Sequence, residues 1–278
     1  MNLKSHILLT VLLVFSGAAK ASPSKENSAT ILLGVPSTVK DTMNPQFYDD
    51  VMKMFGALNA KAGYKTKVIT LPKIRGKLML KNDTIDIEIG RIASYNKGTP
   101  NVLKSNSVFT QLSLILLKNK FFDGPKDIRK VMSEKHPIGY IESTLFIKYY
   151  LSKYKQALPL SQRSDFFAVL EHKRMPYVLT FALYYLDTLI GIDPKDRKAY
   201  TSYGGVIESI DTYNFFSKSN SKLMDLYDKH LGYNSNFRRS YFKTTDMYRK
   251  ISTLPADHVA RVVYLRLIQC DESIFKEE

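Results

Sequence analysis

Residues 69–100, ITLPKIRGKLMLKNDTIDIEIGRIASYNKGTP, predict the unit around which the rest of the chain is arranged. A β-rich run ends at Pro72, and a segment with apolar residues at helical spacing follows it. After a turn at Asn82-Asp83, residues 85–89 alternate apolar and polar side chains, which is typical of a half-buried strand. This order predicts a βαβ unit, and ligands of open α/β sheets bind beyond the carboxyl ends of the strands. Arg91 lies at such an end.

Apolar patterns on both sides of this unit predict further strands and helices. The predicted strands are 30–35, 65–70, 112–118 and 177–180. The predicted helices are 47–62, 223–231, 237–251 and a closing helix within 255–275. Strands that alternate with helical segments indicate an α/β fold.

The sequence resembles the extracellular solute-binding proteins of family 3, which have the type 2 periplasmic-binding-protein fold. That family often begins its helix with Pro-x-x-Arg, which here is Pro72-x-x-Arg75. The next strand of the family usually starts with Gly-x-Ile/Val-Asp. This chain has Asp83-Thr84-Ile85-Asp86 at that point, so the usual Gly is missing, and Asn82-Asp83 makes the turn instead. A downstream Arg matches Arg91. The resemblance implies two lobes, each a sheet flanked by helices, joined by two crossing strands.

The resemblance also implies the domain boundaries. Lobe one is expected to comprise residues 28–110 plus 214–278, and lobe two residues 111–213. A small solute would bind between the lobes and close them like a hinge.

Ligand-binding residues are expected on both lobes. Arg75 and Arg91 would contribute from lobe one, and Arg91 has a planar fork of donors suited to a carboxylate. Ser143 and Thr144 stand at a strand-to-helix junction of lobe two, where free backbone N–H groups and the helix dipole favour an anion. Two alternatives remain open: Ser143-Thr144 is a plain helix cap, or Arg91 pairs with a neighbouring acid such as Glu88.

Aromatic residues and one missing acid bear on the same cleft. The segment 36–48 is implied to reach the cleft, and Phe47 and Tyr48, together with Tyr184-Tyr185, are candidates to line it. The family usually has an Asp where residues 175–178 stand, and this chain has none there. That difference argues against an α-amino acid as the ligand.

The N-terminus predicts export. Residues 1–21 combine a basic end, an apolar run far shorter than the ~20 residues that span a bilayer, and Ala19-x-Ala21 before a cleavage point. The alternative is an uncleaved anchor. Cys270 is the only cysteine, so no internal disulfide is expected, and a two-lobed protein of the bacterial periplasm needs none.

The formal net charge of +15 is compatible with anionic ligands or surfaces, and equally with lysines scattered over a solvated surface. We expect no nucleic-acid partner, because the export signal conflicts with one.

Motifs for catalysis, metal binding or cofactor binding are missing from the sequence. It has no HExxH, GxSxG or GxxxxGK[ST]. Asp86 and Glu88 are expected to be solvated rather than catalytic, and Cys270 to be a core residue rather than a nucleophile. We therefore expect no enzyme, no metal and no cofactor.

The sequence thus predicts a monomeric periplasmic protein that captures a small, anionic or zwitterionic solute for an ABC-type importer. One alternative is a ligand-sensing or interaction module for a membrane partner. The other is an exported enzyme of unknown type.

Overall fold

The computed structural model describes residues 29–276, apart from 73–74, 120, 142–144, 161–168, 171, 173 and 187–200. The predicted signal segment, Ser143 and Thr144 therefore lie outside the described residues. Within the described part, no helix is long and apolar enough to cross a membrane.

The chain alternates strands and helices, as the sequence predicts. The first part forms β1 (Thr30–Pro36), α1 (Ser37–Thr42), α2 (Pro45–Lys61), β2 (Lys65–Leu71), α3 (Arg75–Lys81), β3 (Ile87–Ile92) and the long β4 (Val102–Asn119). The middle forms α4 (Ile128–Ser133), β5 (Ile138–Ile141), α5 (Leu145–Tyr150), β6 (Ala157–Leu160), β7 (Tyr177–Phe181) and the long β8 (Thr201–Ser217). The last part forms α6 (Ser221–His230), α7 (Asn236–Phe242), α8 (Asp246–Ser252) and α9 (Val259–Ile268). Short 3-10 turns follow β3, β7, β8 and α9.

Eight strands form one sheet in the order β2-β1-β3-β8-β4-β7-β5-β6. Strand β1 is parallel to β2 and β3, and β5 is parallel to β6 and β7. The long strands β4 and β8 are antiparallel to each other, and each extends from the first set of strands to the second. The predicted α/β fold of two lobes joined by two crossing strands is therefore confirmed. The predicted boundaries at residues 110 and 213 fall inside β4 and β8 and stay predictions.

The predicted βαβ unit is present as β2, α3 and β3, but its second strand differs from the expectation. The strand begins at Ile87 rather than at residue 85, and it continues to Ile92 through an irregularity between Glu88 and Arg91. Gly90 supplies the backbone for this irregularity, because its φ of 72° lies in the left-handed region that glycine adopts readily.

Glu88 is not solvated, contrary to the expectation, and Asp86 is half-buried. The Asp86 carboxylate accepts hydrogen bonds from the Leu32 backbone N–H at 2.7 Å and from Asn220 Nδ2 at 2.8 Å. Glu88 is fully buried. The alternation of side chains predicted that one face of the strand is exposed, but helix α3 covers that face. Gly76 allows the close approach of α3, because a Cβ at residue 76 would overlap the Glu88 carboxylate.

The main core packs the helices of lobe one against the sheet. Phe47 and Phe55 of α2 meet rings from the C-terminal part of the chain, namely Tyr227, Phe242 and Tyr264. Each such side chain stabilises the fold by about 1.5–3 kcal/mol through burial.

Two helical segments end earlier than the sequence predicts, because capping residues interrupt them. The expected helix 237–251 is two helices, since Thr245 accepts a hydrogen bond from the Tyr248 N–H at 3.2 Å and starts α8. Helix α9 ends where Gln269 adopts a left-handed conformation with φ of 53°. Cys270 follows it and is buried.

Candidate functional site

A cavity of about 160 Å³ lies between the two lobes, on one face of the crossing strands. Its lobe-one wall consists of Val39 in α1, Met43 just after α1, and Gly90 at the irregularity of β3. Both Val39 and Met43 belong to segment 36–48, the segment predicted to reach the cleft.

The crossing strands form the floor of the cavity. Phe109, Thr110 and Leu112 contribute from β4, and Thr212 contributes from β8. The Thr212 hydroxyl donates to the Thr110 carbonyl oxygen at 3.1 Å. The Thr110 hydroxyl is buried and has no hydrogen-bond partner among the described residues. Buried hydroxyls are normally paired, so this unpaired hydroxyl is unusual.

Lobe two closes the cavity with the 3-10 turn after β7. Leu183 and Tyr184 of this turn line the cavity, and Tyr184 is one of the residues predicted to line a cleft. The Tyr184 ring meets Phe181 edge to face, with centroids 5.8 Å apart. Phe181 in turn contacts Phe146 of α5, at 5.9 Å between centroids. The lobe-two wall therefore rests on packed aromatic rings.

A larger, open groove of about 850 Å³ runs along α9 on the opposite face of the crossing strands. Gln111 and Asp211 line it, and they alternate along β4 and β8 with the cavity residues Thr110 and Thr212. Its walls come from α9, the crossing strands, Tyr233 and residues 270–272, so a ligand in this groove would not lie between the lobes. The smaller cavity is the better candidate for a site that both lobes share.

Arg238 supports the floor of the cavity through hydrogen bonds to the backbone of β4. Its side chain is 1% exposed, and it donates to the carbonyl oxygens of Val108 at 2.9 Å and Phe109 at 3.0 Å, where the pairing of β4 with β8 is irregular. It also donates to Leu231 and Ile268, at the ends of α6 and α9. Burial lowers the pKa of Arg238 to about 10, which leaves it protonated at neutral pH. Arg238 thus ties the segment that holds Phe109 to two helices.

Arg91 is engaged by an acid of its own strand. Its Nε lies 2.7 Å from Glu88 Oε1, and its guanidinium stacks over the Tyr95 ring at 4.7 Å. The Tyr95 hydroxyl donates to Glu88 Oε2 at 2.6 Å, and burial together with Glu88 raises the Tyr95 pKa well above its ordinary value. Pairing with Glu88, the alternative left open by the sequence, is the arrangement in the structure.

Three predicted site residues within the described part of the chain, Arg75, Tyr48 and Phe47, do not line the cavity. Arg75 is exposed at the first residue of α3, and Tyr48 is half-buried on α2, where burial raises its pKa. Phe47 is fully buried, and its ring lies 6.4 Å from that of Phe242. This position disagrees with a role for Phe47 in the cleft: residue 47 faces the core side of an amphipathic helix.

Two further observations concern chemistry. Burial raises the pKa of the Cys270 thiol to about 11, so the thiol is protonated at neutral pH. Among the described residues, no group of three His, Cys, Asp or Glu side chains is arranged to hold a metal ion.

Comparisons with solved structures agree with this architecture. The probable amino-acid ABC transporter extracellular-binding protein ytmK from Bacillus subtilis superposes with a TM-score of 0.53 at 13% identity, covering 81% of this chain and 97% of that one. The L-cystine solute receptor of Neisseria gonorrhoeae, in its unliganded open conformation, gives a TM-score of 0.53 at 13% identity, covering 73% and 85%. The GluR0 ligand-binding core in complex with L-glutamate gives 0.50 at 11% identity, covering 73% and 90%.

These identities are low, so the likeness concerns the fold: the chain has the fold of type 2 periplasmic binding proteins. No protein-family model matches the sequence, and no curated protein matches it.

Proposed function

We propose that the protein is an exported solute-binding protein that captures a small solute between its two lobes. The observation that carries the proposal is the cavity whose walls come from lobe one, both crossing strands and lobe two. A solute in that position contacts both lobes at once and favours the conformation in which they are closed. The protein binds its solute and does not convert it.

The nature of the solute is a separate question. The expectation of an anionic or zwitterionic solute relied on Arg91 and on the junction at Ser143-Thr144. Arg91 is paired with Glu88, and the junction lies outside the described residues, so the ligand-binding roles of Arg91, Ser143 and Thr144 stay predictions. The proposal therefore rests on the cavity alone.

With its solute bound, the loaded protein would deliver the solute to an ABC-type importer in the membrane that faces the periplasm. The alternative is that the loaded protein signals to a membrane partner instead of delivering its solute to an importer. Cross-linking in whole cells, with and without solute, distinguishes the two by the kind of membrane protein that is captured.

A thermal-shift screen across amino acids, organic acids and small peptides tests the proposal. A solute that binds in the cavity raises the melting temperature of the wild type but not of Val39→Phe, whose added ring fills the cavity. Val68→Phe is the matched control, because Val68 is exposed on β2 and lies outside the cavity lining. An equal response of Val39→Phe and the wild type to every solute that binds would contradict a site between the lobes. Turnover of a chromogenic substrate would favour the enzyme instead.

A further inference from the structure

We propose that the cavity takes a small, uncharged and mainly apolar group, about one six-membered ring in size, with a single hydrogen-bonding atom that meets the Thr110 hydroxyl. This inference rests on the proposed function and specifies the class of solute. It differs from the sequence expectation of an anionic or zwitterionic solute.

The lining of the cavity favours an apolar occupant. Val39, Met43, Leu112 and Leu183 surround it with aliphatic side chains, and Phe109 adds a ring at its floor. The residues that line it carry no charged side chain within the described part of the chain. Sites of this kind gain affinity mainly from apolar contact and use a few polar groups to fix orientation.

The size of the cavity agrees with a single ring. Its volume is about 160 Å³, and an apolar protein cavity of about 150 Å³ is known to accept benzene.

Thr110 supplies the polar contact. The residue is 3% exposed, and its hydroxyl has no partner in the described structure. Thr212, the neighbouring hydroxyl, is already engaged, because it donates to the Thr110 carbonyl oxygen. A hydroxyl or amide on the solute would give the Thr110 hydroxyl the hydrogen bond that it lacks, and an entirely apolar solute would leave it unpaired.

The charge next to the cavity also argues against an anionic group. Gly90 lines the cavity and Arg91 follows it, but the Arg91 guanidinium is held by the buried carboxylate of Glu88. A solute carboxylate would have to compete with an internal one that is already desolvated and hydrogen-bonded to Tyr95.

Calorimetric titrations with phenol and toluene test the inference, since the two probes have nearly the same size and only phenol has a hydroxyl. We expect both to bind the wild type and neither to bind Val39→Phe. Thr110→Val keeps the shape of the side chain but removes its hydroxyl. It should lower the ratio of phenol affinity to toluene affinity about tenfold, which is the effect of losing one buried hydrogen bond. An unchanged ratio, or no binding of either probe to the wild type, overturns the inference.

Parallel titrations with L-glutamate and L-arginine separate this inference from the proposed function. If either amino acid binds the wild type and fails to bind Val39→Phe, while phenol and toluene do not bind, the solute class is wrong and the solute-binding function stands. If none of the four compounds binds, the solute class is overturned, and the function is then decided by the wider thermal-shift screen.

Discussion

Replacing Arg238 by methionine should strongly destabilise the protein. The guanidinium donates four hydrogen bonds to backbone carbonyl oxygens, two on β4 and one each at the ends of α6 and α9. Methionine fills a similar volume but donates none. Each carbonyl that stays buried without a partner costs about 1 kcal/mol or more, and removing the buried charge recovers part of this loss. We expect the free energy of unfolding to fall by about 3–5 kcal/mol.

Urea denaturation followed by circular dichroism and extrapolated to water measures this loss. Arg239→Met is the matched control, because Arg239 stands next in the same helix and bonds to Ser273 near the C-terminus rather than to β4. We expect the control to lose about 1 kcal/mol or less. If Arg238→Met loses no more than Arg239→Met, the claim that Arg238 supports the floor of the cavity is wrong.

Three other predictions concern separate parts of the structure and use the same denaturation assay. Burial, followed by the effect of nearby carboxylates, raises the pKa of Asp50 to about 6. This pKa is higher than the value of about 4 that Asp50 has in the unfolded chain. Protonation of Asp50 therefore stabilises the folded state below about pH 4, and this stabilisation is lost as the pH rises through about 6. Asp50→Asn should therefore stabilise the protein by about 1–2 kcal/mol at neutral pH and hardly at all near pH 4, and an equal effect at both would refute the shift. Arg91→Ala should cost about 2–4 kcal/mol because it leaves the Glu88 carboxylate buried without its cation, and the double variant with Glu88→Gln should recover much of this. Weaker solute binding by Arg91→Ala with unchanged stability would instead support the predicted ligand role. Gly76→Ala should destabilise by about 1–3 kcal/mol, since its Cβ would overlap Glu88, whereas Gly56→Ala, with open space around it in α2, should stabilise by about 0.5–1 kcal/mol. Effects of the same sign would show that α3 is not packed against Glu88 as described.

The sequence predicted the fold well because the elements that decide it have strong local patterns. Alternation and continuous apolar runs marked β1, β2, β4 and β7, and the resemblance to family 3 solute-binding proteins implied two lobes. Local patterns could not predict that Glu88 is buried, because its burial depends on how closely α3 approaches across Gly76. They also missed the helix break at Thr245, where the capping hydroxyl was the available signal.

The candidate site was less predictable than the fold. Segment 36–48 and Tyr184, which the resemblance and the aromatic pair placed at a cleft, contribute residues to the cavity. Phe109 and Thr110 were missed, since they lie in an irregular part of β4 whose carbonyl oxygens are held by Arg238, more than a hundred residues away in sequence. The position of Arg91 near a strand end suggested a site for an anionic ligand. The structure shows that Arg91 pairs with the carboxylate of Glu88 in the same strand.

Small-angle X-ray scattering of the protein, alone and saturated with a solute whose binding calorimetry has confirmed, tests the central claim most directly. Capture between two lobes that close like a hinge predicts a smaller radius of gyration in the loaded protein. The Val39→Phe variant should keep the radius of the free protein at the same solute concentration. Binding to the wild type that leaves the radius unchanged would contradict the account.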